Sequence, residues 1–208
     1  EALVRWHHPE LGMVLPSIFI PIAEEYGLIV TIGDWILRTA CEQALAWKQA
    51  GTPVPVAVNL SAKQFQQPDI STRVEFALDS IGLDAQYLEL ELAESMSMLN
   101  PEKSIAIMQT FKELGITLTI DDFGTGYSNL SYLKRFPVDK LKLDQSFVRD
   151  ITQSAEALAI SQAVLAVAHN LGLKVVAEGW ETVAQLNLLT RNHCDEIQGF
   201  YFSRPLPA

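Results

Sequence analysis

The chain of 208 residues is 49% hydrophobic and 19% charged, which is enough apolar content to build a sizeable core in one globular domain. Its formal net charge of -10 disfavours docking on DNA, RNA or an anionic membrane, although a small anion can bind where metal ions reverse the local charge. The two cysteines, Cys41 and Cys194, form no disulfide framework and point to a reducing, cytoplasmic setting. The longest apolar stretch, 157–177, is broken by Ser161, Gln162, His169 and Asn170 and is not a membrane span. With no initiator Met, signal peptide, linker or repeat, residues 1–208 read as one domain cut from a longer protein.

In chain order, short apolar runs predict strands at 2–6, 54–60, 87–92, 116–121, 139–143, 173–177 and 195–198. Helical patterns lie between them, near 17–27, 31–49, 70–80, 102–114, 126–134, 153–171 and 181–190. Gly27, Gly51, Gly82, Gly115 and Gly172 fall where helices should end. Such alternation implies a parallel sheet, either open and doubly wound or closed into a barrel.

The polar residues favour the barrel. Arg5, Asn59, Glu91 with Glu94, Asp121 with Asp122, Lys142 with Asp144, Glu178 and Gln198 all lie at or near the C-terminal ends of predicted strands. Apolar strands have no structural use for them, and a barrel would collect them at one mouth. Leu3 shares a strand face with Glu1 and Arg5 by the period of two. A closed barrel has eight strands, so the missing one is expected upstream of residue 1.

Glu1, Glu91, Asp121, Asp122 and Glu178 around one mouth would repel one another strongly without cations. With the amide of Asn59 they are hard oxygen donors suited to Mg²⁺ or Mn²⁺, and two such ions are the usual clamp for attack of water on a phosphodiester. Lys142 and Arg5 would then face the water and the phosphate.

Each residue also has a plainer role. Lys140 and Lys142 in "KLKLD", and Glu89 and Glu91 in "LELEL", have the pattern of a strand's solvent face. Glu94 can be a solvated residue leading into a helix, "DDFGTG" a turn with an Asp cap, Asn59 a strand-end residue and Glu178 a helix cap. His7 and His8 read as structural or rim residues, and His169 and His193 lack metal-ligand company. Trp6, Trp35, Trp47 and Trp180 read as packing groups.

In order along the chain stand "EALVRW" at 1–6, "VNLSAKQF" at 58–65, "ELAES" at 91–95, "DDFGTGYSNLSYL" at 121–133, "FPVDKLKLDQSF" at 136–147, "VVAEGWET" at 175–182 and "DEIQGFYFSRPLP" at 195–207. This series resembles the EAL family of bacterial cyclic di-GMP phosphodiesterases. The resemblance implies a modified (β/α)8 barrel with one antiparallel strand and hydrolysis of cyclic di-GMP to the linear dinucleotide with two Mg²⁺ or Mn²⁺ ions.

Carried over by motif, the metal ligands are Glu1, Asn59, Glu91, Asp121, Asp122 and Glu178, and the catalytic set is Lys142, Glu178 and Gln198. Lys142 orients or deprotonates the attacking water, and Gln198 contacts that water or the ligand. Leu3, Arg5, Asp144 and Gln198 belong to the ligand-binding set, with Arg5 on a phosphate. Glu94 tethers the "DFGTGYSNL" loop, with Glu181 as a further support. A homodimer through the loop and helix near 123–134 is implied, with no nucleic-acid polymer and no membrane contact by this domain. Ala93, Asn129, Trp180 and Phe200 stand where Thr, Ser, Val and Tyr are frequent in the family, and none of these departures removes a ligand. A receptor that binds cyclic di-GMP without cleaving it, and a hydrolase of another phosphodiester, remain as alternatives.

Overall fold

A computed structural model describes residues 1–124 and 130–207. Hydrogen bonding orders six strands into one sheet, β3 (Val56–Leu60), β4 (Leu88–Ala93), β5 (Thr117–Phe123), β6 (Lys140–Leu143), β7 (Lys174–Glu178) and β8 (Glu196–Gln198). Pairing from β5 through β8 is parallel. A separate antiparallel hairpin joins β1 (Trp6–His8) to β2 (Gly12–Val14).

The chain divides into two compact units. The first comprises Glu1–Glu91 and Thr110–Thr117, the second Leu92–Gln109 and the chain from Leu118 onward. The first holds the hairpin, β3, most of β4, and helices α1 (Pro16–Glu25), α2 (Ile29–Gln49), α3 (Ala62–Phe65) and α4 (Ile70–Ile81). The core face of α2 is Ile29, Gly33, Leu37, Ala40, Cys41 and Ala44, spaced for one side of a helix. Gly33 is needed there because a Cβ would lie 1.9 Å from the side chain of buried Gln64. Gln64 in turn completes a capping box with Ser61 at the start of α3.

The second unit holds most of β5 and all of β6–β8, with α5 (Glu94–Met98), most of α6 (Pro101–Leu114), α7 (Leu130–Leu133), α8 (Gln145–Arg149), α9 (Ala155–Asn170) and α10 (Val183–Arg191). Leu118, Ile120, Leu141, Leu143, Val175 and Ala177 on its strands are buried, as is Thr119. Strands covered on both faces carry near-continuous apolar runs, as these do. Bidentate Arg135–Glu102 pairing ties the chain after α7 to α6, and Lys140 and Lys174 both pair with Glu196 across the strands.

Six of the predicted strands fall within two residues of the observed ones, and all five marked glycines take positive φ. The strand predicted at 2–6 is not formed. Residues 1–5 lie outside any strand, touching β3 through the Ala2 amide and the Ala57 carbonyl, and pairing begins at Trp6. The reason is the turn at 9–11, where His8 Nδ1 accepts from the amides of Glu10 and Leu11 and Gly12 takes φ +69°, folding the chain back on itself. Among the described residues no helix is long and apolar enough to cross a membrane.

Candidate functional site

In the second unit the site begins with a local irregularity. Successive strand residues face opposite sides, so Asp121 and Asp122 would diverge in a regular strand. Instead the β5–β6 register shifts between Ile120 and Phe123, and Asp122 takes the left-handed φ of +56°. A bulge of this kind re-aims side chains, and Asp tolerates the conformation better than most residues do. The Asp122 amide donates to Asp121 Oδ1 at 2.9 Å.

Lys142, on the next strand, is 2% exposed. Its Nζ lies 2.7 Å from Glu178 Oε1 and 3.7 Å from Asp121 Oδ1. Glu178 ends β7 in register with Gln198, which ends β8 and is exposed. Asp144 accepts from the Ser146 amide at 2.9 Å and so caps α8. Burial pushes the Asp122 carboxyl up from its ordinary value, Asp121 and Asp144 push the same way, and Lys142 opposes them.

Glu94 is buried at the start of α5. Its Oε2 accepts from the Gly124 amide at 3.1 Å, and its Oε1 has no hydrogen-bond partner. That contact reaches the first residues of the "DFGTGYSNL" segment; residues 125–129, including Tyr127, lie outside the described residues. Leu130 is exposed, and Tyr132 stacks against the Arg135 guanidinium. Glu181 is exposed, and its backbone amide donates to Gln185 Oε1 within the cap of α10.

In the first unit Asn59 Nδ2 donates to Glu1 Oε1 at 2.7 Å, which joins two of the residues singled out as metal ligands. Glu91 is buried on β4 at 3% exposure. Arg5 bonds the adjacent Val4 carbonyl through Nη1, and Leu3 is exposed.

Several plainer roles are overturned. Glu89, Glu91, Glu94 and Lys142 are all buried, so neither "LELEL" nor "KLKLD" presents a solvent face at these positions. Both faces of the sheet are covered, and alternation there marks two kinds of interior. Trp180 is a packing group, but Trp6 and Trp35 are exposed. His169 pairs with Asp195 at 2.9 Å, and among the described residues no metal-holding group forms around it. Burial pushes each cysteine thiol up to about 11, in keeping with the lack of any nucleophile pattern around them.

Among the described residues no three carboxylate, imidazole or thiolate groups already converge as a metal cage. The donor chemistry nevertheless fits a hard divalent cation. Asp121 and Asp144 both act on Asp122 electrostatically, and Lys142 is a cation acting on Asp121 and Asp122. Sequence reading did not find the contact of Trp180 with Gly199, where a Cβ would stand 2.1 Å from the Trp180 carbonyl; the one available signal was a glycine directly after a strand-end glutamine.

A parallel strand–helix fold with carboxylates at its strand ends and a buried lysine among them defines a TIM-like α/β chain with an acidic site. The chain belongs to the EAL domain family, which matches residues 1–205. It is 48% identical over 208 residues to "Cyclic di-GMP phosphodiesterase NbdA" of Pseudomonas aeruginosa, covering 100% of this chain and 27% of that protein. It is 46% identical over 207 residues to "Signaling protein YkoW" of Bacillus subtilis, covering 100% of this chain and 26% of that protein. The chain thus spans about a quarter of the length of these curated relatives. The solved structure "PaMucR Phosphodiesterase, c-di-GMP complex" superposes with a TM-score of 0.96 at 43% identity, over 99% of this chain and 84% of that one.

Proposed function

We propose that this domain hydrolyses one phosphodiester bond of cyclic di-GMP to linear pGpG and so lowers the messenger in bacterial signalling. The observation that carries the reading is the buried Lys142 ammonium held between Glu178 and Asp121. A structural lysine belongs at the surface, whereas one fixed among carboxylates at strand ends is placed for chemistry. The names of NbdA and of the PaMucR complex supply the substrate.

Glu1, Asn59, Glu91, Asp121, Asp122 and Glu178 would hold two Mg²⁺ or Mn²⁺ ions. When bound, such ions polarise a phosphoryl oxygen and acidify water. Lys142, as an ammonium, has only donors to offer, so its part is to orient the attacking water and meet the charge that builds on the phosphoryl oxygens. Gln198 contacts the water or the ligand, Arg5 binds a phosphate, and Leu3 and Asp144 line the ligand. Water's oxygen bonds to phosphorus as the bridging P–O bond breaks, and the departing ribose oxygen takes up a proton. Glu94 anchors the "DFGTGYSNL" segment, Glu181 supports the site, and exposed Leu130 belongs to a homodimer contact near 123–134. The domain is assigned to the cytoplasm, the reducing setting that its two free cysteines suit.

The test is incubation of the protein with cyclic di-GMP and Mg²⁺ or Mn²⁺, followed by separation of the nucleotides. Linear pGpG supports the reading. Tight binding with no linear product makes the domain a receptor instead.

A further inference from the structure

Gln198 is the last residue of β8, and its position is fixed from both sides. Before it, parallel pairing sets Glu178 opposite Gln198, and the Gly179 amide donates to the Gln198 carbonyl at 2.9 Å. After it, the chain runs directly over Trp180. A Cβ on Gly199 would stand 2.1 Å from the Trp180 carbonyl oxygen, 2.9 Å from its amide nitrogen and 2.7 Å from indole Cδ1. The Phe202 amide then donates to the Gly199 carbonyl at 3.2 Å, closing a turn. Tyr201 and Phe202 both pack on the indole with centroids 4.9 Å away, one tilted by 33° and one edge-on at 86°.

The indole itself is fully buried, and its Nε1 has no hydrogen-bond partner. A buried indole N–H ordinarily finds one, and leaving it unmade costs stability. A smaller apolar residue would avoid that cost. What the indole supplies, and a small side chain would not, is a broad platform around which residues 199–202 close. Gln198 meanwhile keeps an exposed side chain on a pinned backbone.

We infer that Trp180 is a positioning residue that fixes Gln198, by holding the turn that follows it. The inference rests on the reading of Gln198 as a water- or ligand-contacting residue in cyclic di-GMP hydrolysis. Misplacement of such a group by a fraction of an ångström to an ångström costs up to about 100-fold in rate.

The experiment compares Trp180→Ala, Trp180→Phe, Gly199→Ala, Gln198→Ala and Trp180→Ala/Gln198→Ala in the intact protein, by hydrogen exchange and by kcat and KM. Trp180→Ala is expected to speed exchange at 198–202 by roughly tenfold or more while β5–β7 keep their protection. It should lower kcat by about 10- to 100-fold with little change in KM, and add less than about twofold in the Gln198→Ala background, because residues acting as one unit are not additive. Trp180→Phe keeps an aromatic platform and should restore both slow exchange and rate. Multiplying effects of Trp180→Ala and Gln198→Ala, or unchanged exchange at 198–202, would overturn the inference. If Trp180→Ala loses protection throughout the chain, Gly199→Ala decides: its Cβ forces the turn off the indole without opening a cavity, and an unchanged kcat there overturns the inference. If the parent makes no linear product, the phosphodiesterase reading falls while the exchange comparison at 198–202 still decides whether Trp180 holds Gln198.

Discussion

Lys142 and Glu178 form an ion pair of 2.7 Å between adjacent parallel strands, with the lysine side chain 3% exposed. The lysine stands in register with Val176, two residues before Glu178, so its long side chain runs along the sheet toward the strand ends. The pair places positive charge among carboxylates that bulge and strand ends bring near, and it sits on rigid elements. The same geometry makes Lys142 a structural residue and, on the proposed reading, a chemical one.

Lys142→Ala therefore has two expected effects. Removing one partner of a buried pair costs about 3–5 kcal/mol, so the melting temperature should fall in chelator, and Mn²⁺ should recover part of the loss by supplying the missing positive charge. The kcat should fall by about 10²–10⁴-fold while cyclic di-GMP binds nearly as well as to the parent. Calorimetric titration beside single-turnover rates checks this, and a variant that turns over normally leaves Lys142 with a structural role alone. Asp121→Ala should lose both binding and turnover, because it removes the proposed shared metal ligand.

Asp122→Gly tests the strained tip of β5. Glycine accepts φ +56° without penalty, and the substitution removes a carboxylate that Asp121 and Asp144 repel. Stability in chelator should rise by about 1 kcal/mol, which for a domain of this size is roughly 2–4 °C in melting temperature. Turnover should vanish with the ligand. A variant that is both less stable in chelator and fully active would contradict the account of the site.

Metal choice follows from the donors. Mg²⁺ or Mn²⁺ should support turnover, excess chelator should abolish it, and Ca²⁺ should bind but inhibit, since its larger radius and looser coordination suit in-line attack poorly. Equal rates with Ca²⁺ alone would refute the two-metal reading.

Away from the site, Asp195 joins α9 to β7. Its Oδ2 meets His169 Nε2 at 2.9 Å and accepts from the Val175 amide at 2.9 Å. Burial alone would push its carboxyl up, but the Val175 amide, His169 and Lys174 outweigh that and hold it below its ordinary value of 3.8. A folded-state value below the unfolded one means stability that is present above the unfolded value and lost as pH falls through the folded one. Asp195→Asn should therefore cost stability at neutral pH, with the difference from the parent shrinking below about pH 4. Urea titrations at several pH values measure this; a difference that does not depend on pH would assign the effect to shape rather than charge.

Local chemistry was enough to place most elements. Glycine at 27, 51, 82, 115 and 172 ends its segments because only glycine enters the left-handed region freely, and that property belongs to the residue itself. Carboxylates at the ends of apolar strands likewise raise the expectation of an acidic site from sequence alone, because burial of such groups without cations is unfavourable. Tertiary structure decided the rest. Whether Lys142 and Glu91 face water or the interior is not a property of "KLKLD" or "LELEL": the same alternation serves a half-exposed strand and one covered on both faces, and only packing distinguishes them. The bulge that turns Asp122 beside Asp121, the hairpin that draws Trp6 away from the first strand, and the indole beneath Gly199 all arise from contacts between segments far apart or folded back on each other. Residue identity supplied the chemistry, and the register between strands supplied its geometry, because no local pattern encodes which neighbour a strand will have.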